Sequence, residues 1–282
     1  MKAKQALLAL LALTSTRSGT IIAQALPTTQ PAYLTIVREE VKLGRDAEHT
    51  RIEAGWPAAF AKAKSPSSYL ALASLTGQDE VWFTIPFASN AAVAEELKRQ
   101  DADPVLSAEL ARLARADAEV LTGHTVVQAV ARPDLTIGAF PVVAKQRFWQ
   151  ITTFRVKPGH RADFEAAAKV YGAAAQRAEP KTSYRVYELI AGAPGLCFFV
   201  FSSLESYAQF DDLRAAADKT AQGFTAEERA ALDKFSSEGL LSSETNRFRL
   251  DPAMSYVSAE TRAQDPAFWM PKKQVARATT QP

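Results

Sequence analysis

From Phe148 to Val156 aromatic and β-branched residues dominate, and the run stops at Pro158-Gly159, a turn signal, which predicts a strand. Between Arg161 and Arg177 the apolar positions are Phe164, Ala167, Ala168, Tyr171, Ala174 and Ala175, the spacing of a helix with one buried face. Pro180 closes that helix, since proline has no N–H to donate and disfavours helical backbone just before it. Tyr184 to Ile190 and Leu196 to Phe201 flank Ala191-Gly192-Ala193-Pro194-Gly195 and read as a β-hairpin. Helices over 204–219 and 225–240 and a strand over 244–250 complete the set. Thr225 and Glu228 have the spacing of a capping box.

The same order occurs earlier in the chain. Strands are predicted at 33–42 and 125–131, a hairpin at 69–75 and 81–87, and helices at 47–63, 90–100 and 106–121. Val41-Lys42-Leu43-Gly44 matches Val156-Lys157-Pro158-Gly159 at an offset of 115 residues, and Tyr33/Phe148, Ile36/Ile151, Trp56/Tyr171, Tyr69/Tyr184 and Gly77/Gly192 keep that offset. Pro133 and Pro252 correspond at 119, so the copies differ by a few inserted residues. Strand, helix, hairpin, helix, strand is the split-βαβ order. The expected fold class is therefore α+β, two tandem ferredoxin-like (βαββα-type) units forming a pseudo-dimeric α+β barrel. Each unit has one sheet face without helices, and the second unit covers it. The expected division is a signal peptide over 1–25, repeats over 26–140 and 141–258, and a tail over 259–282 that frays after Pro266.

The junction Arg155-Val156-Lys157-Pro158-Gly159-His160-Arg161-Ala162-Asp163-Phe164-Glu165-Ala166 resembles the β1–α1 junction of the dimeric α+β barrel superfamily, which includes antibiotic-biosynthesis-type monooxygenases and NIPSNAP-like domains. The resemblance extends over both copies in topology. It brings in single-chain double barrels, the haem-binding chlorite dismutase relatives among them. A V-x-P-G junction sets a turn and not a chemistry, so no functional residue follows from it.

Composition narrows the partners. Formal charge is +2, but the first 25 residues hold Lys2, Lys4 and Arg17 and no acid. Setting those three aside from the 33 basic residues leaves 30 against 31 acidic ones. Such a chain has no broad positive field for nucleic acid. Lys2 and Lys4, the apolar run Ala6–Leu13 and Ala23-Gln24-Ala25 have the order of a secretory signal, so an exported (periplasmic or extracellular) protein is expected. Eight apolar residues are too few for a membrane span. Cys197 is the single cysteine, set in Leu196-Cys197-Phe198-Phe199-Val200, and reads as a buried apolar side chain. The three histidines lack HxH or HxxxH spacing, and no metal site is expected. Dinucleotide, nucleotide, serine-hydrolase and zincin motifs are absent.

The duplication serves as an internal control. At offset 115, His49 stands opposite Phe164, on the apolar stripe His49, Ile52, Trp56, Phe60. His49 is the candidate catalytic base, with Trp56, Tyr69 and Trp82 as walls of a pocket in the first repeat. A structural histidine bonded to a carbonyl or to Glu53 is the competing reading. Arg38 and Arg155 on the first strands, with Arg185, Arg247 and Arg249, are candidate contacts for an acidic ligand inside the barrel, or else members of an ion-pair ladder. His124 and His160 read as surface residues. The expected activity is that of a cofactor-free monooxygenase or isomerase on a small molecule, with a non-catalytic binding or structural protein as the alternative and haem binding as a third. A monomer or homodimer is expected.

Overall fold

The computed structural model describes residues 25–270. The predicted leader lies outside the described residues, except for Ala25.

Strand β1 (Tyr33–Val41) leads through α1 (Asp46–Glu53) and α2 (Gly55–Lys62) to the hairpin β2 (Tyr69–Ser74) and β3 (Glu80–Phe87). Helices α3 (Asn90–Ala102) and α4 (Pro104–Ala118) then precede β4 (Leu121–Ala131). The C-terminal half runs β5 (Phe148–Val156), α5 (Arg161–Ala178), β6 (Arg185–Ala191), β7 (Leu196–Leu204), α6 (Gln209–Gln222), α7 (Ala226–Lys234) and β8 (Leu240–Tyr256). The strands close into an eight-stranded antiparallel barrel in the order β1-β3-β2-β8-β5-β7-β6-β4. Within it each half supplies one block, β4-β1-β3-β2 and β8-β5-β7-β6. The halves join where β4 pairs with β6 and β8 with β2. The fold is thus mixed α+β, with the barrel closed within one chain.

Alternation along the strands separates two environments. On β1, Leu34 and Ile36 point into the barrel, where they meet Leu72, Trp82, Phe199, Phe248 and Leu250 in a filled core. The opposite face of β1 carries Val37, Glu39 and Val41 toward the helices. One outer core lies under α2 and α4, around Phe60, Phe83 and Leu113. Another lies under α5, where Phe164 stacks on Phe198 with ring centroids 4.0 Å apart.

Three elements differ from the sequence expectation. The helix expected over 47–63 is two, α1 and α2. Pro57 cannot donate to the Glu53 carbonyl, but it is tolerated in the first turn of a new helix. The last strand is far longer than 244–250, because β8 must pair with both β5 and β2. The first part of the tail is ordered: α8 (Ala259–Gln264) and α9 (Pro266–Trp269) bring Trp269 onto the barrel core, its indole N–H donating to the Ala144 carbonyl at 3.3 Å, and the rest of the tail expected to fray, 271–282, lies outside the described residues. Among the described residues no helix is long and apolar enough to cross a membrane.

Candidate functional site

Between the helices and the outer sheet face of the N-terminal half lies a cavity of about 680 Å³. Its walls are largely apolar: Trp56, Phe60, Tyr69 and Phe83 form a connected aromatic set with centroid spacings of 6.0–6.4 Å. One end is different in kind. Glu39 from β1, Glu53 from α1 and Asp117 from α4 line it, and His49 from α1 stands directly behind them. His49 and Glu53 are four residues apart on one helix, which places both on the same face.

His49 Nε2 lies 3.0 Å from Glu39 Oε2 and 3.6 Å from Asp117 Oδ1. One ligand atom from each of Glu39, His49, Glu53 and Asp117 can be chosen so that all four lie within 4.8 Å of one another. All four residues are buried; His49 is 1% exposed and Glu53 and Asp117 3% each. Glu53 Oε1, Asp117 Oδ1, the Tyr69 hydroxyl and the Trp56 indole N–H have no hydrogen-bond partner in the protein, and all four residues line this one cavity. Buried polar atoms are normally paired, so this concentration of unpaired ones sets the cavity apart from ordinary core. His124 on β4 is at the rim, 53% exposed, with Nε2 4.0 Å from Glu39 Oε1.

Burial in an apolar wall, reinforced by the charges of Glu39 and Asp117, pushes the Glu53 carboxyl up to about 10. The Trp56 indole, outside good hydrogen-bond geometry, offsets little of this. Asp117 rises to about 7, chiefly through burial and then through Glu39, against the pull of His49. Tyr69 is held well above the usual phenol range by burial and by Glu53.

The residues proposed from sequence fall into two places. His49, Trp56 and Tyr69 belong to this cavity or its backing. His49 does not itself line the cavity, because Glu39 and Asp117 stand in front of it. Trp82 is elsewhere: its position on β3 turns it into the barrel, against Phe199 and Phe248 at 5.1 Å each. Arg38 also points inward on β1, paired with Glu80 at 2.8 Å and lying 4.5 Å over the Trp82 ring. Arg155 is exposed at a strand end. The arginines do not converge on a ligand inside the barrel, since large apolar side chains fill it. Arg185 donates to the carbonyls of Gly138 and Ala139 at 2.9 and 3.0 Å and ties down the segment between the halves. His160 bonds Asp163 at 2.8 Å at the start of α5, and Arg247 lies 4.2 Å over Phe210.

Sequence reasoning missed Glu39 and Asp117, and treated His124 as an ordinary surface residue. The internal control held the signal. In the second half the positions corresponding to Glu39, His49 and Glu53 are Phe154, Phe164 and Ala168, and Asp117 corresponds to Ser236 at offset 119. The pairings Val41–Leu121 and Val156–Leu240 confirm that later offset. A second cavity of about 580 Å³ lies there, with Phe154, Phe164, Tyr171 and Tyr184 in its wall and no carboxylate.

No protein-family model matches the sequence, and no curated protein does. Solved structures do. An anthrone oxidase-like protein superposes with a TM-score of 0.53 at 15% identity, covering 79% of this chain and 92% of its own. A protein described as a monooxygenase from Fusobacterium nucleatum subsp. nucleatum gives 0.50 at 10% identity, covering 77% and 91%. A chlorite dismutase from Candidatus Nitrospira defluvii, in complex with cyanide, gives 0.47 at 11%, covering 80% and 93%. The chain has the fold of the dimeric α+β barrel superfamily, as its junction sequence implied.

These neighbours correct one expectation. With chlorite dismutases, the haem-binding relatives, beside the monooxygenases, a site without any cofactor no longer follows from the fold. Haem itself fits the described residues poorly. The first cavity is lined by Glu39, Glu53, Glu96 and Asp117 and by no lysine or arginine, which disfavours a porphyrin's carboxylates. Of its two imidazoles, His49 stands behind Glu39 and Asp117 and does not face the chamber, and His124 is at the rim, 53% exposed and 4.0 Å from Glu39 Oε1. The second cavity has Arg214 and Arg247 but no histidine, cysteine or methionine, and burial raises the phenols of its two tyrosines, Tyr171 and Tyr184, which disfavours either as an axial phenolate.

Proposed function

We propose that this protein is a small-molecule enzyme of the oxygenase or isomerase kind, working in the cavity of its N-terminal half. The observation that carries the reading is the cavity's division into an aromatic chamber and one buried corner of orphaned polar atoms. That division suits a substrate with an apolar, ring-sized body and a single polar or enolisable group. Trp56, Phe60 and Tyr69 would hold the body. The polar group would meet Glu39, Glu53 and Asp117, with His49 anchoring Glu39 from behind and His124 at the entrance. Binding there would desolvate the substrate and fix the reacting atom against the polar corner.

The wider reading is of two tandem ferredoxin-like units, residues 26–140 and 141–258, in an exported chain, the first unit carrying the chemistry and the second closing the barrel. The monooxygenases and the anthrone oxidase-like protein of the same fold motivate the choice of a fused-ring phenol or anthrone as first substrate to test. Such a compound should quench the tryptophan fluorescence of the full-length protein and support oxygen uptake or isomer formation. Ala114→Trp, which fills the chamber, should abolish both. Binding that survives Ala114→Trp would overturn the reading. Binding that Ala114→Trp abolishes, without turnover in either variant, would leave a carrier in place of an enzyme.

A further inference from the structure

We propose that Glu39, His49, Glu53 and Asp117 together bind one divalent transition-metal ion of the manganese, iron or zinc kind at the polar end of the cavity. The inference rests on the cavity reading above and names the cofactor of that site.

Several independent observations lead there. Four donors from β1, α1 and α4 converge, although nothing in the chain order requires it. Around an ion bound at ~2.1 Å, tetrahedral donors stand about 3.4 Å apart. The 3.0 and 3.6 Å separations from His49 Nε2 already have that scale, and none of the four selected atoms is more than 4.8 Å from another. Glu53 Oε1 and Asp117 Oδ1 are buried, belong to this cluster and have no hydrogen-bond partner in the protein. A cation supplies the missing partner for both.

Charge makes the same point. If all three were ionised, carboxylates this close and this far from bulk water would repel one another strongly. No lysine or arginine lines the cavity to balance them. Core packing does not need them either, since Phe154, Phe164, Ala168 and Ser236 occupy the corresponding places in the other half. One imidazole with three carboxylates is a nitrogen–oxygen donor set suited to first-row divalent ions. When bound, such an ion would supply polarisation of a substrate oxygen. Glu39, Asp117 and His49 would orient it, and the aromatic chamber would exclude bulk water.

The test uses the full-length protein, stripped with EDTA and titrated calorimetrically with Zn²⁺ and with Mn²⁺. Metal content after purification and the thermal midpoint are read alongside. One ion per chain is expected for at least one of the metals, with a rise in the midpoint. His49→Gln and Glu53→Gln should each weaken binding more than tenfold. Glu53→Gln is close to isosteric and keeps the test valid if His49→Gln fails to fold. Absence of a one-to-one site for both metals, or equal affinity in the wild type and Glu53→Gln, would overturn the proposal. The fused-ring probe, run with and without Ala114→Trp, separates the two readings. Probe binding without metal binding sinks the metal site alone, and metal binding without probe binding sinks the substrate chamber alone.

Discussion

Glu53→Gln should stabilise the metal-free protein near neutral pH, and the amount can be worked from the site. In the folded chain the carboxyl is pushed up to about 10 from its ordinary 4.5, so it is protonated at pH 7, whereas the unfolded chain ionises it. Folding at pH 7 must therefore reprotonate this group. That costs 1.36 kcal/mol per pH unit above 4.5, or about 3 kcal/mol, whatever the folded value, provided it lies well above 7. The sign follows from the raised folded value. The contribution is fully present below pH 4.5 and is lost as pH rises toward 10. Glutamine has nearly the shape of the protonated acid and no charge to lose, and its amide can donate toward Glu39 or Asp117. Glu39, Asp117, His49 and His124 surround the position in both proteins, so the difference between the two curves reports the Glu53 carboxyl together with its charge coupling to Glu39 and Asp117. Urea or thermal unfolding in EDTA at pH 5, 7 and 8.5 should show little difference at pH 5. At pH 7 the variant should be ahead by about 3 kcal/mol, roughly 6–12 °C for a chain of this size, and further ahead at pH 8.5. Equal stability at pH 8.5, or a wild-type curve flat between pH 5 and 9, would refute the argument. A gain would mean that this carboxylate is kept at the expense of stability, as functional groups often are.

Other consequences can be checked more simply. Phe198→Ala removes a fully buried ring stacked on Phe164, and denaturant unfolding should show a loss of about 3–5 kcal/mol. Gly192 has φ +82° and its Cβ would lie 2.1 Å from the Val126 carbonyl oxygen, so Gly192→Ala should lower the thermal midpoint by forcing β4 and β6 apart. Thr225→Ala breaks a capping box in which Thr225 and Glu228 satisfy one another's backbone N–H groups, and should cost about 1 kcal/mol by the same unfolding assay. Burial pushes the Cys197 thiol up, so it should resist a disulfide reagent at pH 7.5 in the native protein and react at once in guanidinium.

Much of the architecture was legible without coordinates. Strand periodicity, the helix at Arg161 and the offset of 115 residues depend on local pattern, and β1 and β5 begin and end at that offset. Asp103 before Pro104 and Ser89 before Asn90 start helices where their short side chains accept backbone N–H groups. The capping box at Thr225 formed as its spacing implied. Inside or outside was harder, because a strand's alternation separates two faces without saying which is which. Trp82 and Tyr69 illustrate this: both are aromatic strand residues of one hairpin, and one fills the barrel while the other walls the cavity.

The sequence by itself determined that an apolar helix face carries His49 where the position 115 residues later carries Phe164. Only the tertiary structure decided that Glu39 and Asp117, 78 residues apart in the chain, meet that histidine beneath an aromatic cavity. Local pattern fixes which side of an element a residue occupies. Which elements face one another is set by barrel closure and helix packing, so a cluster drawn from β1, α1 and α4 has no signature along the chain.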